Sequence, residues 1–238
     1  AIRSVITNET SLVSIMHVNN EIGSVNCLSD IGQLCFENGI KFHTDAAQSF
    51  LKATINVDTM NLDYASISAH KIGGPKGVGA LYIRDQRNSH IEPIIHGAGQ
   101  ENGLRGGTLA APLMIGFGEA ISRFPAVYSA LVIKSLKSYL LDCLTKQGLV
   151  FTVNGESIPS LVSLTLPNSD IAGLLRNSDG ILALATGSAC SSKEIEASHV
   201  LTAIGIDRDQ ASKTLRISFH HEHTRDDIDQ LVSWIKKF

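Results

Sequence analysis

The sequence predicts an α/β fold: a large domain built on a mostly parallel sheet, followed by a smaller α+β domain. Three observations predict it. Strand-like and helix-like runs alternate β-α-β over the first seventy residues. Glycine-rich, turn-forming stretches come directly after the strands. After Gln147-Gly148 the texture changes to strands and helices in runs, which sets the smaller domain apart with a boundary near residues 122 to 130.

Taking the elements in order, Ser11 to Val18 is an apolar run of strand length that ends in turn-prone Asn19-Asn20-Glu21-Ile22-Gly23. Ser29 or Asp30 is expected to cap a helix through Ile31, Leu34, Cys35 and Phe36, with Asn38-Gly39 as its stop. Residues 40–44 form a short strand that delivers Asp45, and Gln48 comes soon after it. Tyr64 to Ala69 alternates as a strand does and leads to Lys71. Gly73, Gly74, Pro75, Gly77 and Gly79 then make a tight turn before a second strand, Val78 to Ile83. Residues 91–108 are too glycine-rich to be regular and read as a functional or interface loop. Pro112 to Phe124 and Ala126 to Lys146 read as two helices separated by Pro125. Strands at Leu149 to Val153, Leu161 to Leu166 and Thr214 to Phe219, with a helix near Ile171 to Arg176, make up the smaller domain.

Composition narrows the function classes. With 238 residues, 43% of them apolar, the chain is long enough to bury a sizeable core. A net charge of −3 gives no global basic field for nucleic acid or an anionic membrane. No apolar run approaches the ~20 residues of a membrane span, and no signal-peptide pattern opens the sequence, so a cytoplasmic protein is expected. The four cysteines (Cys27, Cys35, Cys143 and Cys190) lack metal or disulfide spacing; the first three read as packing residues.

Three features carry chemistry. Lys71 is either a solvated loop lysine or, at a strand end in an open sheet, a ligand-facing amine. Asp45 is either a helix cap or a functional carboxylate one βα unit earlier, opening onto the same sheet edge. Such a lysine and carboxylate suit pyridoxal phosphate: the lysine forms an imine, the carboxylate keeps the pyridine nitrogen protonated, and Ser68 and His70 suit the phosphate. Cys190, in Thr186-Gly-Ser-Ala-Cys-Ser-Ser, is a mobile nucleophile or an incidental surface thiol. Arg216 is a carboxylate anchor or a surface charge. The run His220-His221-Glu222-His223 has poor spacing for a metal, and none is expected.

The ordered motifs Ser14-Ile-Met-His-Val-Asn-Asn-Glu-Ile-Gly23, His43-Thr-Asp-Ala-Ala-Gln48, Ser68-Ala-His-Lys71, Gly74-Pro-Lys-Gly-Val-Gly-Ala-Leu-Tyr82, Arg105-Gly-Gly-Thr108 and Gly187-Ser-Ala-Cys190 together resemble the cysteine desulfurases, a pyridoxal-phosphate family that supplies sulfur for iron-sulfur clusters. The resemblance runs the length of the chain. It implies residues 1–124 as the C-terminal part of a fold-type I large domain and 125–238 as the small domain with the catalytic-cysteine loop. Lys71 would hold the cofactor as an imine, Asp45 its ring nitrogen, Gln48 its ring hydroxyl side, and Ser68 and His70 its phosphate, with His70 also in the catalytic set. Thr108 would join the phosphate site of a second subunit, making the enzyme a homodimer. Asn20 would contact the ring or substrate carboxylate and Arg216 would anchor that carboxylate. Cys190 would take sulfur from L-cysteine as a persulfide, leaving L-alanine, and pass it to an acceptor or scaffold protein. The family's upstream segment, with a phosphate-binding threonine loop and a ring-stacking histidine, has no counterpart here. That implies a fragment that works with a separate N-terminal piece. Selenocysteine lyase activity, or a non-catalytic fragment keeping only a partner-binding surface, are the rival readings.

Overall fold

A computed structural model of the chain describes residues 1–88, 91–178, 181–186, 188–189 and 196–238. It divides into two compact units. Residues 1–18 and 26–126 form the first; residues 19–25 and 127–238 form the second.

In the first unit, β1 (Leu12–Met16), β2 (Lys41–Asp45), β3 (Tyr64–Ser68) and β4 (Gly79–Ile83) make one sheet in that order. The first three strands are parallel, and β4 returns antiparallel along β3. Helix α1 (Leu28–Glu37) crosses from β1 to β2 and covers one sheet face. Leu28, Cys35, Ile40, Phe42 and Leu62 are buried there, with Val13 and Ile15 packed against them. The opposite face carries Ser14, His43 and Ser66 among Leu12, Met16 and Leu81, and these three apolar side chains are all exposed. Asp63 aligns the strands: its carboxylate accepts from the Phe42 backbone at 2.9 Å and from the Lys41 ammonium at 2.7 Å.

The helix begins earlier than the sequence suggests. Leu28 is its first residue and Cys27 its N-cap, without a side-chain capping bond. Burying Leu28 outweighs a Ser29 or Asp30 cap, and Asp30 instead lies in the first turn, where a carboxylate complements the helix dipole. Cys27 is therefore exposed rather than packed; Cys35 is buried and Cys143 partly so. Pro125 does not separate two helices either. It lies inside α2 (Ala111–Val127), and the break falls at Tyr128-Ser129, where Ser129 caps α3 (Ala130–Lys146) by accepting from the Val132 N–H. Pro125 has no N–H to donate to the Ile121 carbonyl, yet the helix continues past it to Val127, with Phe124 buried beside it.

In the second unit, β5 (Thr152–Val153), β6 (Leu161–Thr165), β10 (Thr214–Ser218) and β7 (Ala185–Thr186) form an antiparallel sheet in that order. A separate ribbon pairs β8 (Ser188–Ala189) with β9 (Glu196–Ala197). Helices α3, α4 (Ile171–Asn177) and α7 (Arg225–Lys237) bury Leu140, Leu144, Leu174, Leu231 and Ile235 against Leu164 and Leu215 of the sheet. Thr224 and Asp227 form a reciprocal capping box that starts α7. The short helices α5 (His199–Ala203) and α6 (Arg208–Ser212) supply Leu201 and Ala211, on which Ile22 of the 19–25 segment packs. Among the described residues, no helix is long and apolar enough to cross a membrane.

Two phenylalanines near one another in sequence test where the first core lies. Phe42 is 0% exposed and Phe36 is 70% exposed. Phe42→Ala is expected to cost about 3–5 kcal/mol in urea unfolding, and Phe36→Ala to change stability by no more than about 0.5 kcal/mol.

Candidate functional site

The carboxyl ends of β2 and β3 lie at the same edge of the sheet, with β3 running two residues past the end of β2. Asp45 pairs with Ser66, two residues before Ser68 at the end of β3. The sequence places polar residues at both ends because alternation along these strands sends Phe42, Thr44 and Ala65 into the core and leaves the other face to His43, Asp45 and Ser66. Beyond β2, the chain turns at once: the Ala46 N–H donates to Ser66 O at 2.8 Å and the Ala47 N–H to Asp45 Oδ1, also at 2.8 Å. Asp45 is thus a turn cap through one oxygen, while its Oδ2 has no partner among the described residues. Gln48 is partly buried in that turn.

Beyond β3, residues Ala69–Ile72 wind into a short 3-10 turn that places His70 and Lys71 directly after the strand end. Gly73 ends it at a φ of +82°, and Gly74 lies so close that an added Cβ would stand 2.9 Å from Ala69 O. Ser68 Oγ and His70 Nδ1 are 2.8 Å apart. The Lys71 ammonium has no hydrogen bond or ion pair among the described residues. An unpaired amine, a carboxylate with a free oxygen and a hydroxyl–imidazole pair on one sheet edge fit an aldehyde-bearing, phosphorylated heteroaromatic group. Thr108 is exposed within the glycine-rich loop of the same unit.

Asn20 and Arg216 belong to the second unit, where Arg216 on β10 donates from Nη1 to Asn20 O at 3.0 Å. The structure thereby joins two residues almost two hundred positions apart. Cys190 lies outside the described residues. The histidine run is a local cluster, with the His220 and His221 rings 4.0 Å apart, and no group of three or more potential ligands is placed to hold a metal among the described residues.

Sequence reasoning assigned no role to two histidines of the first unit. His43 bridges three strands: its Nδ1 is 2.7 Å from Ser14 Oγ on β1 and its Nε2 is 2.8 Å from Ser66 Oγ on β3. Alternation could have found this, since Ser14, His43 and Ser66 share a face. His17 is buried, and its Nδ1 has no hydrogen-bond partner among the described residues. Burial holds both imidazoles below the usual histidine range, with the Asp45 charge opposing this at His43.

Comparison with known proteins shows which family the chain resembles. The family model described as aminotransferase class-V matches residues 1–231. A probable mitochondrial cysteine desulfurase of Dictyostelium discoideum is 41% identical over 99% of this chain and 53% of its own length. Cysteine desulfurase IscS of Rickettsia bellii is 39% identical over 98% of this chain and 58% of its own. The chain spans about half the length of the curated relatives it matches. Among solved structures, a NifS-like protein superposes with a TM-score of 0.85 at 32% identity, covering 99% of this chain and 63% of that one. SspA in complex with cysteine superposes at 0.79 with 41% identity, covering 94% and 62%.

The two histidines set a pH dependence. Each is harder to protonate folded than unfolded, so its contribution to stability is complete above about pH 6.5 and is lost as pH falls through the lower folded-state value. Urea midpoints are therefore expected to fall between pH 7 and pH 5, with a shallower fall in His43→Gln; an unchanged slope in that variant would contradict the burial of the ring.

Proposed function

Because the chain belongs to the aminotransferase class-V family, a pyridoxal-phosphate-dependent family, we propose that it takes part in cysteine desulfuration: L-cysteine is converted to L-alanine and its sulfur is carried away as a protein persulfide. The observation that carries this reading is the parallel pairing of β2 and β3, which puts Asp45 and the Ser68-Ala-His-Lys71 turn on one edge with the lysine amine unpaired among the described residues. Relatives named cysteine desulfurases at about 40% identity support the choice of substrate.

In this reading Lys71 holds the cofactor covalently, and Asp45 Oδ2 pairs with its ring nitrogen while Oδ1 keeps the turn. Gln48 lies on the ring hydroxyl side. Ser68 and His70 donate to the phosphate, with Thr108 of a second copy completing that cradle in a homodimer. Bound pyridoxal phosphate supplies an electron sink for the charge that develops next to the breaking C–S bond. Arg216 takes the substrate carboxylate, and its hydrogen bond to Asn20 O holds the guanidinium in place. The Cys190 thiolate attacks the substrate sulfur: an S–S bond forms, the C–S bond breaks, and a proton replaces sulfur on the substrate carbon, with His70 near enough in sequence to Lys71 to share in proton transfer. The resulting persulfide passes to an acceptor or scaffold protein, a chemistry that serves iron-sulfur cluster assembly. Domain roles keep the same division: residues 1–124 carry the cofactor and 125–238 the cysteine and carboxylate anchor. The remaining length of the relatives is expected to complete the cofactor site, supplied by a separate polypeptide or by more of this protein.

The test is cofactor absorbance and alanine release in the chain, alone and with the complementary portion of a close relative added. Lys71→Ala is expected to abolish covalent cofactor absorbance. Cys190→Ala is expected to keep the absorbance while persulfide formation from cysteine drops to background. Unchanged sulfur transfer in Cys190→Ala would overturn the role of the thiol, and absorbance surviving in Lys71→Ala would overturn the lysine. Absence of both signals from every mixture would favour a partner-binding fragment.

A further inference from the structure

Asn20 meets Arg216 through its backbone carbonyl, so whatever places that carbonyl also places the guanidinium. Within the second unit, Asn19 closes the segment on itself. Its N–H donates to Ser24 O at 2.9 Å, its carbonyl accepts from the Gly23 N–H at 3.0 Å, and its Oδ1 accepts from the Glu21 and Ile22 N–H groups at 2.8 and 3.0 Å. The closed segment is then fastened at its far side. Ile22 packs on Leu201 and Ala211, and Gly23 O accepts from the Ile158 N–H at 3.0 Å. Glycine is required there: its φ is +73°, and an added Cβ would stand 2.6 Å from Ser157 Cβ.

Ser157 and Ile158 are themselves held by a lysine that the proposed desulfuration leaves unused. Lys137, partly buried on α3, donates from Nζ to Ser157 Oγ at 2.6 Å, to Ser157 O at 3.2 Å and to Ile158 O at 3.4 Å. These bonds occupy all three N–H groups of the ammonium. Ser157 Oγ in turn donates to Leu161 O at 2.7 Å, at the start of β6. Leu161 pairs with Ser218 and Ser163 with Arg216, so the sheet register closes the circuit from the other side. Among the described residues Lys137 makes no ion pair, and its charge is spent on neutral acceptors, which a cationic donor binds more strongly than a neutral one does.

We propose that Lys137 is a positioning residue for the substrate carboxylate: its ammonium fixes Ser157 and Ile158, these fix Gly23, and the closed segment thereby presents the Asn20 carbonyl to Arg216. The inference rests on the proposed function in taking Arg216 as the carboxylate anchor. An arginine side chain is long and rotates freely, and a carbonyl fixed 3.0 Å from Nη1 restricts the guanidinium while leaving its other N–H groups for a carboxylate. Lys137 acts through the backbone and not on the reacting sulfur, so its loss weakens carboxylate binding and leaves the chemical step alone.

Lys137→Met, which keeps the apolar stem and removes the three bonds, tests this by nuclear magnetic resonance on the full chain. Exchange of the Ile158 amide and rotation of the Arg216 guanidinium about its Cζ–Nε bond are each expected to speed up about tenfold, while the Phe219 amide, which donates to Ser160 O at 2.9 Å, keeps its rate. A general loss of structure would speed all three together. Ser157→Ala, which keeps the lysine and removes its shortest bond, should move Ile158 and Arg216 in the same direction, and it decides the matter if Lys137→Met does not fold. In a preparation that releases alanine, Lys137→Met should raise KM for L-cysteine about tenfold and change kcat by less than about twofold, with inhibition by cysteamine, the same molecule without its carboxylate, unchanged. Arg216 rotation unmoved in both variants, or Phe219 exchange speeded equally, would overturn the proposal. If Arg216→Gln leaves KM for L-cysteine unmoved while Lys137→Met still frees the guanidinium, Arg216 fails as the anchor but the tether from Lys137 to it stands, so the two failures are distinct.

Discussion

Three parallel strands held in one register are the constraint on which the first unit depends. Met16 stands opposite Asp45, and Asp45 opposite Ser66. Because side chains alternate with period two, a slip of one residue in either pairing would send His43 and Asp45 into the core and Phe42 and Thr44 out of it. Burial of Phe42 and the grip of Asp63 on the Phe42 N–H and the Lys41 ammonium both oppose such a slip. The polar edge is thus a by-product of the register that the apolar face demands.

Past the strand ends, the chain is less regular and more strained. After β2 it passes through a left-handed Leu51; after β3 it passes through a 3-10 turn closed by left-handed Gly73. Among the described residues, the turn after β3 leaves the Lys71 amine without an ion pair, whereas Lys41 in the same unit is paired with Asp63. The second unit is built on another plan. Its antiparallel sheet is covered by α3, α4 and α7, and its polar contribution is the Arg216–Asn20 bond, which depends on β10 and on the 19–25 segment being folded into the same unit.

The places where sequence reasoning missed are those where packing overrode a local signal. Ser29 and Asp30 are good caps, but Leu28 is an apolar residue that the sheet needs, and the helix starts there. Pro125 is a strong breaker, yet α2 runs past it to Val127 with Phe124 and Phe117 of the same helix buried. Cys27 looks like its buried neighbour Cys35 in composition, and only its position outside the first turn of α1 exposes it. His43 was visible as part of a motif, but its two serine partners come from strands on either side.

The sequence by itself determined the element types of the first unit, the polar strand ends at Asp45 and Ser68, the glycine turn after Lys71 and the family to which the chain belongs, because these arise from periodicity, turn chemistry and ordered motifs. Only the tertiary structure decided that Asp45 pairs with Ser66, that His43 ties three strands together and that Arg216 reaches the Asn20 carbonyl. Each of those joins residues distant in sequence, and such a pairing is not written in any local run of residues.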